Sequence, residues 1–354
     1  MTRPCALGMA SALFVTTPLL AADILVPADH ATIQAAIDAA NDGDVVVVSP
    51  GTYPEMIDFD GKPITVRSTG GALVTTINAK GAGSVVTCDD AETDDTVLDG
   101  FTLTGGIGTL LGGLRSGGAI LNSISDATFR NLIITGNTAR NGAAIFNFVA
   151  DPTLVNCLIY DNVGTAFSKG GAILNDTSNP VLKNCTITEN SADDGGAFFN
   201  DFGVPRLINC IVWSNTPDSF DGVGEIAPIV SFSNIDVAGA SPYPGEGNIK
   251  ATPGFVNPAG NDYSLVAASQ CIDRGDSTAI AAEAFEDVTG DDRGVDVGSV
   301  PDRGVAVFGL TVDMGAFEFQ TGGGGDECPA DIDGSGDVGF TDLLQILGLW
   351  GPCP

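Results

Sequence analysis

The chain has 354 residues and a formal net charge of −31, from 14 Lys and Arg against 45 Asp and Glu. A surface of that charge repels phosphate backbones and anionic membranes, so the composition argues against a nucleic-acid partner or a membrane-surface role. It also disfavours a polyanionic ligand unless the few basic residues are gathered in one place.

Residues 1–22 have the composition of a secretory signal peptide. Arg3 supplies the positive end, residues 6–20 supply the apolar run, and Ala21 and Ala22 are small residues near a cleavage point. The apolar run is too short to span a bilayer, and no later segment approaches spanning length. We therefore expect a secreted or cell-surface protein whose mature chain has no membrane span.

Residues 23–320 are predicted to form one domain that starts with a short helix. Ile33, Ala36 and Ile37 repeat at helical spacing and would lie on one face. The turn at residues 42–44 then leads into a β-branched run at residues 45–48. We expect the helix to cover the first strands, because an uncovered first strand leaves an unpaired edge.

Two short phrases recur four times through the middle of the chain, with a repeat of 25 to 28 residues. The first phrase is a short aliphatic run that starts at Asn131, Asn156, Asn184 and Asn209. The second phrase ends at Asn122, Asn147, Asn175 and Asn200. A repeat of this size indicates stacked units that bury a continuous core only by lying on one another.

Each phrase reads as a strand, because it is a β-branched or aliphatic run bounded by Asn or Gly. A unit of two or three such strands without a helix is one coil of a parallel β-helix, with coils roughly 4.8 Å apart. Stacking would place Cys157, Cys185 and Cys210 in one inward column, as small apolar core residues and not as disulfides. The recurring asparagines would sit at bends and hydrogen-bond from coil to coil.

This pattern resembles the right-handed parallel β-helix proteins of the pectin-lyase-like superfamily over about residues 29–320. The resemblance implies an all-β fold, a right-handed parallel β-helix solenoid with an N-terminal capping helix. The superfamily contains lyases, hydrolases, epimerases and adhesins, so the resemblance predicts a fold and not an activity. The Gly-His-Gly and Arg-Ile-Lys signatures of polygalacturonases are absent and His30 is the one histidine, which disfavours a hydrolase of that type.

The turns on one edge of the predicted coils gather scarce cations. Arg115, Arg140 and Lys169 fall on successive coils, followed by Asp193 and Asp194. For a uronate polysaccharide lyase, the candidate catalytic residues are Arg140 or Lys169 as base, together with Asp194. Arg115 and Asp193 would then bind the acidic sugar. The alternative is that these charges only neutralise one another on a solvent-facing turn.

Two aromatic residues are candidate sugar-stacking groups. Tyr160 and Trp213 occupy the same strand position two coils apart, where alternation turns them outward. The alternative is that the C-terminal strands of residues 229–320 cover them. An acidic run near Asp287 and Asp291 is either a second calcium site or a solvated loop, and the sequence leaves Cys88 and Cys271 unassigned.

A glycine-rich linker at residues 321–327 precedes a terminal module at residues 328–354. Its oxygen-bearing residues have the spacing of an EF-hand calcium loop, with Gly336 at the sharp turn. The predicted Ca²⁺ ligands are Asp331, Asp333, Ser335, Asp337 and Asp342. Cys328 and Cys353 bracket the module and should form a disulfide in an oxidising compartment.

The terminal module resembles one half of a dockerin, because it has a single calcium loop without an entering helix. This resemblance implies a calcium-dependent attachment module with a protein partner. Together, these features predict a secreted or cell-surface β-helix protein that binds an extracellular polysaccharide, with uronate lyase activity as the enzymatic version. The alternative is a non-enzymatic structural or adhesion protein in which the coils form a rigid rod.

Overall fold

A computed structural model describes residues 21–223, 227–280, 286–295, 297–298, 300–307 and 310–320. The signal peptide, the linker and the terminal module lie almost wholly outside these residues. The predictions that also lie outside them are the calcium ligands Asp331, Asp333, Ser335, Asp337 and Asp342 and the disulfide partners Cys328 and Cys353.

Short strands account for most of the regular structure. The first ten are β1 (Asp23–Val26), β2 (Val45–Val48), β3 (Gly51–Tyr53), β4 (Ile57–Asp58), β5 (Thr65–Ser68), β6 (Thr75–Asn78), β7 (Val86–Cys88), β8 (Val97–Asp99), β9 (Thr102–Thr104) and β10 (Thr109–Leu111). The next ten are β11 (Leu114–Ser116), β12 (Ile120–Ser123), β13 (Thr128–Arg130), β14 (Ile133–Thr135), β15 (Thr138–Asn141), β16 (Ile145–Phe148), β17 (Thr153–Val155), β18 (Leu158–Tyr160), β19 (Val163–Lys169) and β20 (Ile173–Asp176).

The remaining strands are β21 (Val181–Lys183), β22 (Thr186–Thr188), β23 (Phe198–Asp201), β24 (Arg206–Ile208), β25 (Ile211–Trp213), β26 (Phe220–Val223), β27 (Ile229–Ser231), β28 (Asn234–Ile235), β29 (Phe255–Asn257) and β30 (Asp262–Leu265). Helix α1 spans Ile33–Ala39, and two 3-10 helices span Pro258–Gly260 and Ser277–Ala279.

Three long sheets wind side by side as a parallel β-helix of about eight turns. The first sheet has the order β1-β2-β5-β8-β13-β17-β21-β24-β27. The second sheet runs β3-β6-β9-β14-β18-β22-β25-β28, and the third runs β4-β7-β12-β16-β20-β23-β26. The strand pairs within these sheets are parallel, so each coil hydrogen-bonds to the coils before and after it. The predicted solenoid architecture is confirmed.

The core is built from columns of equivalent residues. Ile134 pairs with Ile159, Ile187 follows on the next coil, and Val212 on the one after. The predicted cysteine column is also present: Cys157, Cys185 and Cys210 are fully buried free thiols in one core cluster. Cys88 and Cys271, which the sequence left unassigned, are buried free thiols as well.

Two asparagine columns connect the coils through their side chains, as predicted. The Asn137 amide donates to Asn162 Oδ1 at 3.0 Å, Asn162 donates to Asn190 at 2.9 Å, and Asn190 donates to Asn215 at 3.0 Å. In the third sheet, the amide of Asn147 donates to Asn175 at 2.9 Å. A third set of asparagines, at the start of the first repeated phrase, takes the left-handed conformation that the bends require. Their φ angles lie between 50° and 56°: Asn131, Asn156, Asn184 and Asn209.

Helix α1 is present where the sequence predicted it. The Thr32 hydroxyl accepts from the Ala35 N–H at 3.2 Å and so caps the first turn. The helix buries Ile33, Ala36 and Ile37 and contacts β1, β2 and β4. Its role as a cap for the solenoid stays a prediction.

Beyond β28, the described residues of the C-terminal segment return over the outside of the second sheet. Asn156 donates to the Glu286 carbonyl at 2.6 Å, and the Ala316 N–H donates to Thr186 Oγ1 at 2.9 Å. Apolar contacts accompany these bonds, with Tyr263 fully buried against the outer face. Within the described residues, no helix has the length and apolar character needed to cross a bilayer.

Candidate functional site

A fourth sheet stands at the side of the solenoid, between the second and third sheets. Its order is β10-β11-β15-β19, and we call it the lateral sheet. Strands β10 and β11 form an antiparallel hairpin that turns at Gly112 and Gly113, whose φ angles of 58° and 85° suit a tight hairpin turn. Strands β15 and β19 then add in parallel, because the turns of these coils are long enough to form strands of their own.

The lateral sheet and the turn beside its last strand carry the five charged residues that the sequence singled out. Arg115 lies on β11, Arg140 on β15 and Lys169 at the end of β19, and Lys169 pairs with Asp194 through an isolated bridge. Asp193 precedes Asp194. The sequence thus placed these residues on successive coils correctly, and the structure shows which groups each of them contacts.

Arg140 stacks on an exposed aromatic ring. Its guanidinium carbon lies 5.8 Å from the centre of the Phe167 ring, and Phe167 is 79% exposed. Phe167 has a φ of 59°, a left-handed conformation that is uncommon for an aromatic residue. Left-handed conformations occur at functional sites and also at the turns of this solenoid, where Phe202 has a φ of 57°. The lateral sheet therefore presents an aromatic surface and a cation together.

Lys169 stacks on a different ring. Its ammonium lies 4.3 Å from the centre of the Phe199 ring. Phe199 belongs to a buried apolar column on the outer face of the third sheet, with Leu121, Phe146 and Leu174. The predicted base candidates, Arg140 and Lys169, are thus held by separate aromatic partners and do not share one.

Arg115 and Asp193 are held by neutral groups. The Arg115 guanidinium donates to the Gly108 carbonyl at 2.8 Å. The Asp193 carboxylate accepts from the Ser168 N–H at 2.8 Å and from the Ser168 hydroxyl at 3.2 Å. The backbone hydrogen bond from Ser168 holds the pKa of Asp193 below its usual value, so this carboxylate stays ionised at neutral pH.

Exposed apolar side chains surround these charges. Leu110 is 64% exposed at the hairpin, and Val163 is 48% exposed on β19. Leu111 and Leu114 are also exposed. Sequence reasoning missed this apolar surface and Phe167 with it. The signal that could have revealed Phe167 is the inserted segment around residues 163–169, which places this aromatic residue between Arg140 and Lys169 in the sequence.

Tyr160 and Trp213 lie elsewhere, on the outer face of the second sheet. The Tyr160 ring packs on Tyr263 with centroids 5.0 Å apart, and Trp213 packs on the cluster that contains Phe232 and Leu265. Both side chains are half-buried against the C-terminal segment. The C-terminal segment therefore packs against both rings but leaves part of Tyr160 at the wall of a cleft. The structure does not bring either ring to the lateral sheet.

Acidic groups occur at two further places. Asp58, Asp89 and Asp90 lie close enough together to hold one ion, and burial raises the pKa of Asp58 to about 6. Sequence reasoning did not find this group. In the acidic run near residue 287, Asp287 accepts from the Thr289 N–H at 2.7 Å and from its hydroxyl at 2.6 Å, so that loop is ordered by its own hydrogen bonds.

One comparison with known proteins supports the fold. Residues 75–235 match the family model described as "Right handed beta helix region", which supports the predicted handedness. No curated protein matches the chain. The pectin methylesterase from Yersinia enterocolitica is 14% identical with a TM-score of 0.40, over 58% of this chain and 79% of that one.

Two further pectin methylesterases are similar at the same level. The enzyme from Aspergillus niger is 16% identical with a TM-score of 0.35, over 64% of this chain and 88% of that one. The enzyme PemA from Erwinia chrysanthemi is 12% identical with a TM-score of 0.33, over 62% of this chain and 71% of that one. Identities and TM-scores this low assign no activity to the chain.

Proposed function

We propose that the protein binds an acidic extracellular polysaccharide on the lateral sheet. The observation that carries this proposal is the stacking of Arg140 on Phe167, a ring that is 79% exposed. An exposed aromatic ring packs well against the C–H face of a sugar, and a guanidinium binds carboxylates through paired hydrogen bonds. The two groups together match a sugar ring that carries a carboxylate.

The charge distribution favours this surface for an anionic ligand. The whole chain repels polyanions, since its formal net charge is −31. Three of its 14 basic residues, Arg115, Arg140 and Lys169, nevertheless lie on the lateral sheet. An acidic polymer would therefore find cations there beside exposed apolar side chains, and its sugar faces would cover Leu110 and Phe167.

Binding has stronger support than cleavage. A lyase needs a base beside the sugar and a positive charge that neutralises the uronate carboxylate. Arg140 is the better candidate for the base, because Lys169 is stacked over the buried ring of Phe199. Asp194 pairs with Lys169 through the backbone and would therefore lie on the same side of a bound sugar as Lys169. Lyase activity is therefore the second candidate function, and a non-enzymatic rod is the outcome if no ligand binds.

The location and attachment of the protein complete the proposal. Its N-terminal signal peptide would deliver it outside the cell. The terminal module would bind Ca²⁺ through Asp331, Asp333 and Asp342 and attach the β-helix to a protein partner. Both statements rest on the sequence.

The experiment is affinity electrophoresis of the full chain through gels that contain polygalacturonate, alginate or a neutral glucan, with a calcium chelator present. We expect the acidic gels to retard the wild-type chain. Arg140→Gln and Phe167→Ala should weaken retardation about tenfold, the effect of losing one good aromatic or charged contact.

Two matched controls lie on other faces of the coils. Arg206→Gln removes an exposed cation, and Phe202→Ala removes a ring that is 61% exposed with a φ of 57°. Both controls should run like the wild type. Equal mobility of all five proteins in every gel would reject the site. Ultraviolet absorbance from unsaturated sugar ends would show lyase activity, which Arg140→Gln should then lose.

A further inference from the structure

A second concave site lies where the C-terminal segment meets the solenoid. This cleft, the seam cleft, has a volume of about 640 Å³ and lies between the outer face of the second sheet and residues 261–265, 287–291 and 317–320. Sites for small molecules usually have volumes of a few hundred to about a thousand Å³, so this cleft is large enough for a disaccharide.

The floor and one wall of the seam cleft are apolar. Ile133, Leu158 and Tyr160 line it from the second sheet, and Phe317 lines it from the C-terminal segment. Tyr160 is held in place by Tyr263, at a centroid distance of 5.0 Å and an interplanar angle of 54°. The Tyr263 hydroxyl in turn donates to Glu189 at 3.0 Å. Tyr160 is therefore a pre-positioned aromatic surface, which lowers the entropy lost on binding.

The rim of the seam cleft is polar, and its charged groups are acidic. Asp262 and Asp291 are exposed at the rim, with Ser264 and Gln320 beside them. The Ser264 hydroxyl donates to Asp262 at 2.5 Å, the Thr289 hydroxyl donates to Asp291 at 3.0 Å, and the Gln320 amide donates to the Asp292 carbonyl at 3.1 Å. The remaining carboxylate and amide oxygens of the rim can accept from several ligand hydroxyl groups at once. The carboxylates would repel a uronate, so the electrostatic character of this site is opposite to that of the lateral sheet.

Glu318 lines the same cleft and is 4% exposed. Its Oε2 accepts from the Asp313 N–H at 3.0 Å and lies 3.5 Å from Arg293 Nη1. Its Oε1 has no hydrogen-bond partner among the described residues. Burial raises the pKa of Glu318 well above its usual value, and the Arg293 guanidinium opposes that shift. Glu318 thus brings to the cleft a buried carboxyl oxygen, Oε1, that no described residue uses.

We propose that the seam cleft binds a neutral sugar unit, with its C–H face against Tyr160 and its hydroxyl groups bonded to Asp262, Asp291 and Gln320. Several short polar groups distributed around an aromatic surface suit a ligand with many hydroxyl groups. A compact organic cation would use only the carboxylates. This site is separate from the one on the lateral sheet, and it implies that the protein contacts both acidic and neutral sugars.

The test is isothermal titration of the full chain with three disaccharides of similar size. The probes are cellobiose, the corresponding glucosamine disaccharide and digalacturonate. We expect saturable binding of cellobiose that Tyr160→Leu weakens about fivefold or more. Asp291→Ala, at an exposed position whose loss should leave the fold intact, should weaken it about threefold.

Variants of the two sites keep the two proposals apart. Arg140→Gln and Phe167→Ala should leave cellobiose binding unchanged, and Tyr160→Leu and Asp291→Ala should leave polygalacturonate retardation unchanged. The seam-cleft proposal is overturned if cellobiose does not saturate, or if Tyr160→Leu and Asp291→Ala both bind it like the wild type. Tighter binding of the glucosamine disaccharide than of cellobiose would also overturn it, because the site would then select a cation.

Discussion

Arg140 and Phe167 meet on neighbouring coils, with the guanidinium 5.8 Å from the ring centre, although neither residue belongs to the repeated strands. Their strands, β15 and β19, pair in parallel with a register shift between Ala139 and Asn141. This irregularity aligns Asn141 with Lys169 and leaves Phe167 raised from the sheet. The contact is therefore a product of the turns and not of the repeat.

The buried asparagine column that contains Asn137, Asn162, Asn190 and Asn215 should be a main support of the solenoid. Asn162 is fully buried, and its amide donates to Asn190, to the Ile134 carbonyl at 2.9 Å and to the Tyr160 carbonyl at 3.0 Å. Asn162→Ala should lower the free energy of unfolding by about 3 kcal/mol, because several buried groups lose their partners. Chemical denaturation followed by circular dichroism measures the change.

The matched control for Asn162→Ala is Asn179→Ala. Asn179 is exposed; its amide oxygen accepts from the Val204 N–H at 3.0 Å and its amide nitrogen donates to Asp151 at 3.2 Å. Because water can replace both bonds at an exposed site, its loss should cost less than about 1 kcal/mol. Equal destabilisation by the two variants would show that burial of the Asn162 amide is not what matters.

Stability should fall as pH rises from 5 to 8. Burial raises the pKa of Asp313 to about 7 from a usual value of 3.8, and it raises the pKa of Glu318 as well. Groups whose folded-state pKa is raised stabilise the fold fully below their unfolded-state pKa, and this contribution is lost as pH rises through the folded-state value. Asp273 and Arg293 face both carboxyls, and Arg293 offsets part of the cost.

The expected loss of unfolding free energy between pH 5 and pH 8 is on the order of a few kcal/mol. Glu318→Gln should reduce it, because an amide replaces the carboxyl whose Oε1 has no hydrogen-bond partner among the described residues. Denaturation midpoints at the two pH values measure the effect. A wild-type midpoint that is higher at pH 8 than at pH 5 would contradict the sign.

The buried thiols should be protected in the folded chain. Cys88, Cys157, Cys185, Cys210 and Cys271 are buried and free. In a chain without its signal peptide, alkylation should modify none of these five under native conditions and all of them after unfolding without reductant. Prior reduction should add Cys328 and Cys353, which we expect to form a disulfide. Mass spectrometry of peptides gives the number of modified cysteines. Modification of Cys157, Cys185 or Cys210 in the folded chain would contradict their burial in the core.

The terminal module should bind one calcium ion. Asp342→Ala in the full chain should lower the Ca²⁺ stoichiometry by one in isothermal titration at moderate salt, because it removes the last ligand of the loop. Asp42→Ala, which removes an exposed carboxylate near the N-terminus, is the control and should leave the stoichiometry unchanged. An unchanged stoichiometry in Asp342→Ala would refute the calcium loop.

The repeated part of the fold could be predicted from the sequence, because each coil repeats the same chemical requirement. A residue such as Asn162 or Cys185 has its environment set by the same position in the coils on either side. The turns could not be predicted to the same depth, since their lengths differ from coil to coil. Phe167 was therefore missed, although Arg140 and Lys169 on either side of it were identified.

The sequence also could not show which outward-facing side chains are covered by residues that lie far away in the chain. Tyr160 alternates outward on its strand, which fits both a sugar-binding ring and a packing surface. Only the path of residues 261–265 decides that its ring meets Tyr263. Asp58 and Asp89 likewise come together because β4 and β7 are neighbours in the third sheet, a pairing that the irregular early coils do not reveal in sequence.

Arg140 and Phe167 are proposed to form a binding surface for an acidic polysaccharide. The most direct test is calorimetric titration of the full chain and of the double variant Arg140→Gln/Phe167→Ala with an oligogalacturonate, at low and at high salt. We expect saturable binding by the wild type that weakens with salt and is lost in the double variant. Binding of equal strength by the two proteins, or binding by neither, would contradict it.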